Sequence, residues 1–145
     1  MAQSDLVQDM QQLTYAGAAV AIEAAVAKSR ALGAPECIAV VDAGGNLLAF
    51  ARVEGAAVLA RDPAIAKAAT SASLGMATGG IPFEFGANLA FASQGGITNL
   101  GGGLPITLGS RVLGAIGVGS GTTEQDVAVA EAGRDAILAA LSVSK

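Results

Sequence analysis

The sequence contains no histidine and no tryptophan, a single cysteine, and few aromatic or charged side chains. The absence of histidine excludes a Ser-His-Asp triad and removes the most common ligand of zinc and of haem iron. Because Cys37 is the single cysteine, the chain cannot form an internal disulfide or a zinc site made of several cysteines. We therefore expect no metal site, and the apolar residues that follow Cys37 favour a small core residue over a reactive nucleophile.

Charge is also scarce, because Asp, Glu, Lys and Arg make up 14% of the chain and apolar residues make up 52%. An ordinary soluble domain has about a quarter of its residues charged. Because so few residues are charged, we expect part of the apolar surface to be buried between subunits. This predicts a homo-oligomer larger than a dimer. The net charge of −4 and the lack of a basic cluster argue against nucleic acid as a partner.

The length of 145 residues predicts one domain over the whole chain, 1–145. No basic segment followed by an apolar run stands at the N-terminus, so we expect no signal peptide and a cytoplasmic location. The longest uncharged run, 85–110, is interrupted by Asn88, Gln94, Asn99 and Pro105. That pattern favours loop and strand over a transmembrane helix, and we expect no membrane partner.

Apolar spacing predicts a first helix over 5–32, stopped by Gly33 and Pro35. Short apolar runs around turn residues predict two β-hairpins, the first from 37–41 and 47–53, the second from 105–108 and 112–118. Between the hairpins, Asp62 as N-cap and Pro63 at the first helical position predict a helix that reaches about residue 76.

A weaker pattern over 83–103 predicts a short helix, 85–92, within an excursion that resembles a lid or binding loop. Thr122 and Gln125 form a capping-box pattern that predicts a final helix to about residue 141. The order is therefore α-ββ-α-(short α)-ββ-α. Paired strands favour an antiparallel or mixed sheet with helices against it, so the fold class is α+β.

Four ordered motifs closely resemble the GlcG/HbpS family of haem-binding-like domains, also seen as the C-terminal domain of PduO-type cobalamin enzymes. They are VVDAGGNLLAFARVEGA at 40–56, AKAAT at 66–70, GGLPI at 102–106, and GAIGVGSG at 114–121 followed by Asp126. The resemblance covers nearly the whole chain. It implies a profilin-like fold with a five-stranded sheet flanked by helices, and assembly into dimers or octamers.

Haem is a cofactor that the resemblance also implies, but this chain departs from the haem-binding pattern because it has no histidine. Tyr15, Met76 and Cys37 are the remaining axial candidates. Each has a simpler interpretation that we prefer: helix surface or interface for Tyr15, core filler for Met76, and strand core for Cys37.

The glycine-rich segment 101–126 is the best predicted location for a site, because glycines let a ligand or another backbone approach closely. Catalytic candidates are Lys67, which lies among alanines, and Glu84, whose pKa would rise if Phe83 and Phe85 desolvated it. Ion pairing and solvent exposure are the structural alternatives for these charges. Ligand-binding candidates lie mostly in the motifs of the resemblance: Arg52, Thr70, Gly102, Gly103, Pro105, Gly119, Gly121 and Asp126.

Two functions remain open at this point. The first is a GlcG/HbpS-like accessory protein that binds a small apolar or anionic ligand, such as a tetrapyrrole, and needs no catalytic residue. The second is a cofactor-free catabolic enzyme that moves protons on a small organic acid or aromatic-derived compound, as a tautomerase, hydratase or decarboxylase does. In the second, Lys67 or Glu84 would transfer protons while Arg52 and the glycine loop hold a carboxylate or enolate.

Overall fold

A four-stranded antiparallel sheet and four α-helices form the fold in a computed structural model that describes residues 1–143. The α+β class and the predicted order of elements are confirmed, whereas the prediction of five strands was wrong for the described residues. The elements are α1 (Tyr15–Leu32), β1 (Cys37–Asp42), β2 (Leu47–Arg52), α2 (Arg61–Leu74), α3 (Phe83–Ala92), β3 (Gly103–Leu108), β4 (Arg111–Gly119) and α4 (Thr123–Val143).

The sheet runs in the order β2-β1-β4-β3, so β1 and β4 are its central strands. Each predicted hairpin is present, and β1 pairs with β4 to join them, with Cys37 opposite Gly119 and Asp42 opposite Gly114. All six residues of β1 are buried, as its apolar sequence predicts for a central strand. Pro105 lies in edge strand β3, where a missing backbone N–H is tolerated.

One face of the sheet packs against α1 and α4 through large aliphatic side chains. Ile38, Ile106 and Ile116 are fully buried there, and Val129 of α4 packs among them. Gly133 gives α4 a close approach, since a Cβ at that position would lie 2.5 Å from Cδ1 of Ile116. This face is the larger of the two hydrophobic cores.

The opposite face packs against α2 and is made almost entirely of small residues. Ala64 and Ala68 of α2 lie directly over Gly117 of β4, and a side chain at Gly117 would collide with the backbone of α2. Because no bulky group separates helix and sheet, α2 lies close to β4 along its length. A polar side chain on α2 can therefore reach past the end of the sheet.

Two predicted helix starts were wrong. α1 begins at Tyr15 rather than near residue 5, because the Leu13 N–H donates to the Leu113 carbonyl (2.8 Å) and holds that segment extended. The Thr14 hydroxyl then caps the helix by accepting from the Gly17 N–H at 3.3 Å. α2 has Ala60 as its N-cap, because a 3-10 turn (Val58–Ala60) leads into it, so Asp62 and Pro63 lie inside the first turn.

The start of α4 agrees with its prediction. The Thr122 N–H donates to Gln125 Oε1 (2.9 Å) and the Gln125 N–H donates to Thr122 Oγ1 (3.2 Å), which is a reciprocal capping box. Asp42 stabilises the turn between β1 and β2, since its Oδ1 accepts from the N–H groups of Gly44 and Asn46. No helix within residues 1–143 is both long and apolar enough to cross a bilayer.

The excursion between α2 and β3 carries α3 and leaves the core through a narrow neck. Thr78 and Gly103 pair at this neck, where the Thr78 N–H donates to the Gly103 carbonyl (3.0 Å) and the Gly103 N–H to the Thr78 hydroxyl (2.8 Å). The predicted short helix is present, two residues longer at its N-terminal end. Its phenylalanines Phe83, Phe85 and Phe91 are exposed.

Candidate functional site

A cleft of about 370 Å³ opens where α2, the end of β4 and the start of α4 meet. The 3-10 turn at Val58–Ala60 and the chain at Leu100 and Gly101 form its other walls. Most of the cleft wall is backbone and small side chains. Its lining consists of Ala57, Leu59, Ala60, Pro63, Lys67, Leu100, Gly101, Gly119, Ser120, Gly121, Thr123 and Asp126.

Lys67 reaches the cleft from the buried side of α2. Its Nζ donates to the Val118 carbonyl at 2.7 Å and to Asp126 Oδ2 at 2.8 Å, and both charged side chains are almost fully buried. An ammonium group carries three N–H bonds. Two of them are accounted for by these partners, which leaves one donor on a group that lines the cleft.

Asp126 is held on both carboxylate oxygens. Oδ2 accepts from Lys67, and Oδ1 accepts from the Gly121 N–H at 3.0 Å. The residue lies in the first turn of α4, where the helix dipole also favours a negative charge. Each carboxylate oxygen of Asp126 therefore has a hydrogen-bond donor within the protein.

Glu36 is a third buried ionisable group beside this pair. It precedes β1, is 0% exposed, and neither of its carboxylate oxygens has a hydrogen-bond donor among the described residues. Its oxygen Oε1 lies against Gly121, where any side chain would collide with it. Glu36 thus lies directly behind a residue of the cleft wall.

The pKa of Glu36 is raised to about 8, first by burial and then by the negative charge of Asp126 and a hydrogen bond with it. The Gly121 amide and the positive charge of Lys67 oppose this rise in pKa. The hydrogen bond requires a proton, because two carboxylates have no donor between them. A protonated Glu36 gains the partner that an ionised Glu36 lacks.

Glycines bring the backbone close to Lys67. A Cβ at Gly102, whose φ is +117°, would lie 3.2 Å from Lys67 Nζ, and a Cβ at Gly119 would lie 3.6 Å from it. Ser120 has a φ of +104°, uncommon outside glycine, and its hydroxyl accepts from the Ala57 N–H at 2.9 Å. This contact ties one wall of the cleft to the other.

Four predicted site residues line the cleft together: Lys67, Gly119, Gly121 and Asp126. Gly102 lies directly behind Lys67. Arg52 is exposed on the edge strand β2, donates to the Ala56 carbonyl (3.4 Å), and is not part of the cleft lining. The single chain therefore does not bring Arg52 and Lys67 together, as the enzyme hypothesis requires.

Glu84 is also outside the cleft. It lies on α3 with its side chain exposed, and Phe83 and Phe85 are exposed beside it rather than packed over it. The desolvation on which its predicted role depended is absent from the single chain.

The remaining predicted ligand residues have structural contacts. The buried Thr70 hydroxyl accepts from the Thr98 N–H (3.0 Å) and so holds the excursion to α2. Gly103 and Pro105 pair with β4 opposite Gly117 and Ala115, and a side chain at Gly103 would collide with the Lys67 backbone. These three residues shape the cleft without lining it.

Glu36 is not among the predicted site residues. The available signal was its position, a carboxylate between Pro35 and six residues of a fully buried strand. Among the described residues, the Glu36, Lys67 and Asp126 cluster contains too few candidate ligands of the His, Cys, Asp or Glu type to form a metal-binding group.

The three axial candidates for haem do not converge on the cleft. Tyr15 is 69% exposed at the start of α1 and Met76 is 51% exposed after α2, so the expectation of Met76 as core filler was wrong. Cys37 is buried, as predicted, and burial raises the pKa of its thiol. The cleft lining contains no His, Cys, Met or Tyr side chain, so its residues do not fit haem iron as axial ligands.

A sequence profile described as "Haem degrading protein HbpS-like" matches residues 13–135. The chain belongs to the HbpS-like family. An uncharacterised 15.0 kDa protein of Citrobacter freundii, from the dhaT-dhaS intergenic region, is 37% identical over 133 residues, covering 88% of this HbpS-like chain and 94% of its own length.

Two solved structures show the same fold. A double mutant of Streptomyces reticuli HbpS is 31% identical with a TM-score of 0.77, covering 93% of both chains. A PduOC:haem complex is 24% identical with a TM-score of 0.75, covering 86% of this chain and 94% of the other. The predicted resemblance to HbpS and to the PduO C-terminal domain is thereby confirmed at the level of the fold.

Proposed function

We propose that this HbpS-like protein is an accessory protein that binds a small carboxylate in the cleft beside Lys67. The observation that carries the proposal is the buried Lys67 ammonium, which has two protein partners and one remaining N–H on a group that lines the cleft. Charge-assisted hydrogen bonds to a carboxylate are stronger than neutral ones. The N-terminus of α4, at Thr123, adds a favourable dipole for an anion on the same wall.

The rim of the cleft supports a ligand with some apolar surface. Leu59 is 88% exposed, Leu100 is also exposed, and both line the cleft. A carboxylate held by Lys67 can place its carbon skeleton against these side chains. This combination of one polar anchor and apolar walls is typical of small-molecule sites.

Ligand-observed NMR with acetate, pyruvate and benzoate tests the proposal. We expect saturation transfer to at least one of them, and weaker transfer in Leu59→Glu, which puts a negative charge on the rim without altering the buried cluster. Leu108→Glu, exposed at the end of the β3-β4 hairpin opposite to Gly119, is the matched control and should bind like the wild type. Equal binding by both variants, or binding by neither the wild type nor the control, contradicts this location.

Haem is a second ligand candidate, favoured by the relative that forms a haem complex and by the family description. The absence of an axial side chain from the cleft lining argues against tight binding there. Haemin titration followed by absorbance separates the two ligands. A Soret shift stronger than that of a serum albumin control favours the tetrapyrrole over the small carboxylate.

Proton-transfer catalysis is a second candidate function, favoured by the Lys67 and Asp126 pair that lines the cleft and by the Glu36 carboxyl directly behind its wall. Perturbed ionisable groups in a cleft are frequent at catalytic sites. If the protein is such an enzyme, it should speed deuterium exchange at the pyruvate methyl group in D2O, and Lys67→Met should abolish this activity. Unchanged exchange with wild-type protein contradicts that function for this probe.

A homo-oligomer also forms part of the proposal, and exposed aromatic side chains of α3 support it. Phe83 is 86% and Phe91 90% exposed, and Leu100 joins this apolar surface to the rim of the cleft. Light scattering should show an assembly that Phe91→Glu dissociates, whereas Leu6→Glu should leave it intact. A monomeric wild type contradicts the proposed oligomer.

The cytoplasmic location and the catabolic role remain predictions.

A further inference from the structure

Three ionisable side chains from three different elements meet behind the cleft wall: Lys67 of α2, Asp126 of α4 and Glu36 before β1. They form one cluster that is shielded from water, since each residue is at most 4% exposed. If all three were ionised, the cluster would carry one net negative charge. Burial makes such an uncompensated charge costly.

Glu36 is the member whose charge is not compensated. The Lys67 ammonium and the Gly121 amide both donate to Asp126, and neither oxygen of Glu36 receives a donor. The charged groups that act on Glu36 are Asp126 from α4 and Lys67 from α2, and the adjacent Cys37 thiol of β1 is buried and neutral. A proton on Glu36 removes the excess charge and supplies a donor toward Asp126.

We propose that Glu36 and Asp126 hold one proton between them behind Gly121, and that this proton allows the cleft to accept a carboxylate. The first half of this proposal, the shared proton, stands on the geometry of the cluster alone. The second half, the effect of that proton on carboxylate binding, rests on the proposed function. With the proton in place the cluster is neutral and a ligand carboxylate meets the Lys67 ammonium. Without it the ligand meets a net negative charge a few ångströms away, which weakens binding by Coulomb repulsion.

The shared proton is tested on the ligand-free protein by NMR of carbon-13 in the glutamate and aspartate carboxyl groups. The other five glutamates, at positions 23, 54, 84, 124 and 131, are exposed, so the wild-type spectrum alone identifies Glu36. We expect one glutamate carboxyl to remain protonated at pH 7 and to titrate near pH 8. This signal should be missing from Glu36→Gln and retained in Glu54→Gln.

Titration of every glutamate and every aspartate in the ordinary range of exposed carboxyls, about pH 4, overturns the shared proton. This result is independent of any ligand. It is also independent of whether Glu36→Gln folds, because the wild-type spectrum decides it.

The link to binding is tested with pyruvate at pH 7 and pH 9. We expect the affinity of the wild type to fall about tenfold or more over this interval, from the added charge near the site. Glu36→Gln, which is neutral at both pH values, should lose this dependence, and Glu54→Gln should behave like the wild type. Equal wild-type affinity at the two pH values overturns the second half of the proposal.

The two proposals fail in different ways. If neither pyruvate, acetate nor benzoate binds at any pH, the proposed function is contradicted and the second half of the inference falls with it. The carboxyl titration still decides the first half. If the titration shows the shared proton but none of these anions binds, the buried proton is real and its link to carboxylate binding is wrong.

Discussion

The two faces of the sheet are packed in different ways. Toward α1 and α4, isoleucine and valine fill the space between the layers, whereas toward α2 alanines lie directly on glycine backbone. Adjacent residues of β4 illustrate the contrast, because Ile116 belongs to the first face and Gly117 to the second. The face toward α1 and α4 supplies most of the hydrophobic stabilisation, because it buries the larger side chains. The face toward α2 buries less side-chain volume, but its small residues let α2 approach closely enough for Lys67 to reach Val118 and Asp126.

Removal of the cation on the small-residue face should have the largest effect. Lys67→Met leaves the buried Asp126 without its ionic partner, so we expect a loss of about 3–5 kcal/mol in the free energy of unfolding. Chemical denaturation measures this loss. Adding Asp126→Asn removes the stranded charge and should restore much of the stability, so a double variant no more stable than the single one contradicts the charge argument.

Truncation on the aliphatic face should be nearly as damaging. Ile116 is fully buried between the sheet and α4. Ile116→Ala should cost about 2–5 kcal/mol, because it removes buried methyl groups and leaves a cavity. Val143→Ala at the exposed end of α4 is the control and should change the denaturation midpoint little.

On the face that packs against α2, an added methyl group should be destabilising, because the alanines and glycines there leave no space for it. Gly117→Ala places a methyl group against the backbone of Ala64 and Ala68, and we expect a loss of about 1–3 kcal/mol from overpacking. Gly80→Ala is a matched control, since its Cβ would enter open space at an unstrained φ. Equal thermal midpoints for the two variants would show that α2 can move away from the sheet freely.

The charge on Glu36 should make stability depend on pH. Its pKa is raised to about 8 in the folded protein, so the folded state retains a proton that the unfolded chain has released. Stability is therefore highest at low pH within this range and falls as pH rises from about 5 to about 8, with a slope of at most about 1.4 kcal/mol per pH unit. Denaturation of Glu36→Gln across the same range should lack this component, while Glu54→Gln should retain it.

The smallest effect should come from the cap of α4. Thr122→Ala removes the hydroxyl that accepts from the Gln125 N–H, and we expect a loss of about 1 kcal/mol. Thr107→Ala on edge strand β3 provides a comparison away from any helix end. A loss for Thr122→Ala no greater than for Thr107→Ala would mean that packing alone fixes the start of α4.

The sequence predicted the elements better than their contacts. Local chemistry located both hairpins, the Thr122 capping box and the stop at Gly33, because these depend on residues near one another in the chain. The start of α1 was missed because a single long-range hydrogen bond, from Leu13 to Leu113, holds the preceding segment extended.

The same limit applies to the site. Lys67 and Asp126 were each selected, but their ion pair joins positions 59 residues apart, a distance over which spacing carries no information. Glu36 escaped notice because its neighbours Lys67, Gly121 and Asp126 are all far from it in the chain. Arg52 and Glu84 were selected for their charge and local neighbours, which do not determine the side of the molecule on which a residue lies.

The neck formed by Thr78 and Gly103 has a consequence for how this architecture can vary. A segment that departs and returns at one hydrogen-bonded pair behaves as a closed loop, and doubling the length of such a loop costs only about 0.6 kcal/mol in closure entropy. The α3 excursion can therefore be lengthened, shortened or given a new outer surface while the sheet keeps its register. The outer surface of the excursion can thus change independently of the part of the molecule that holds the buried charges.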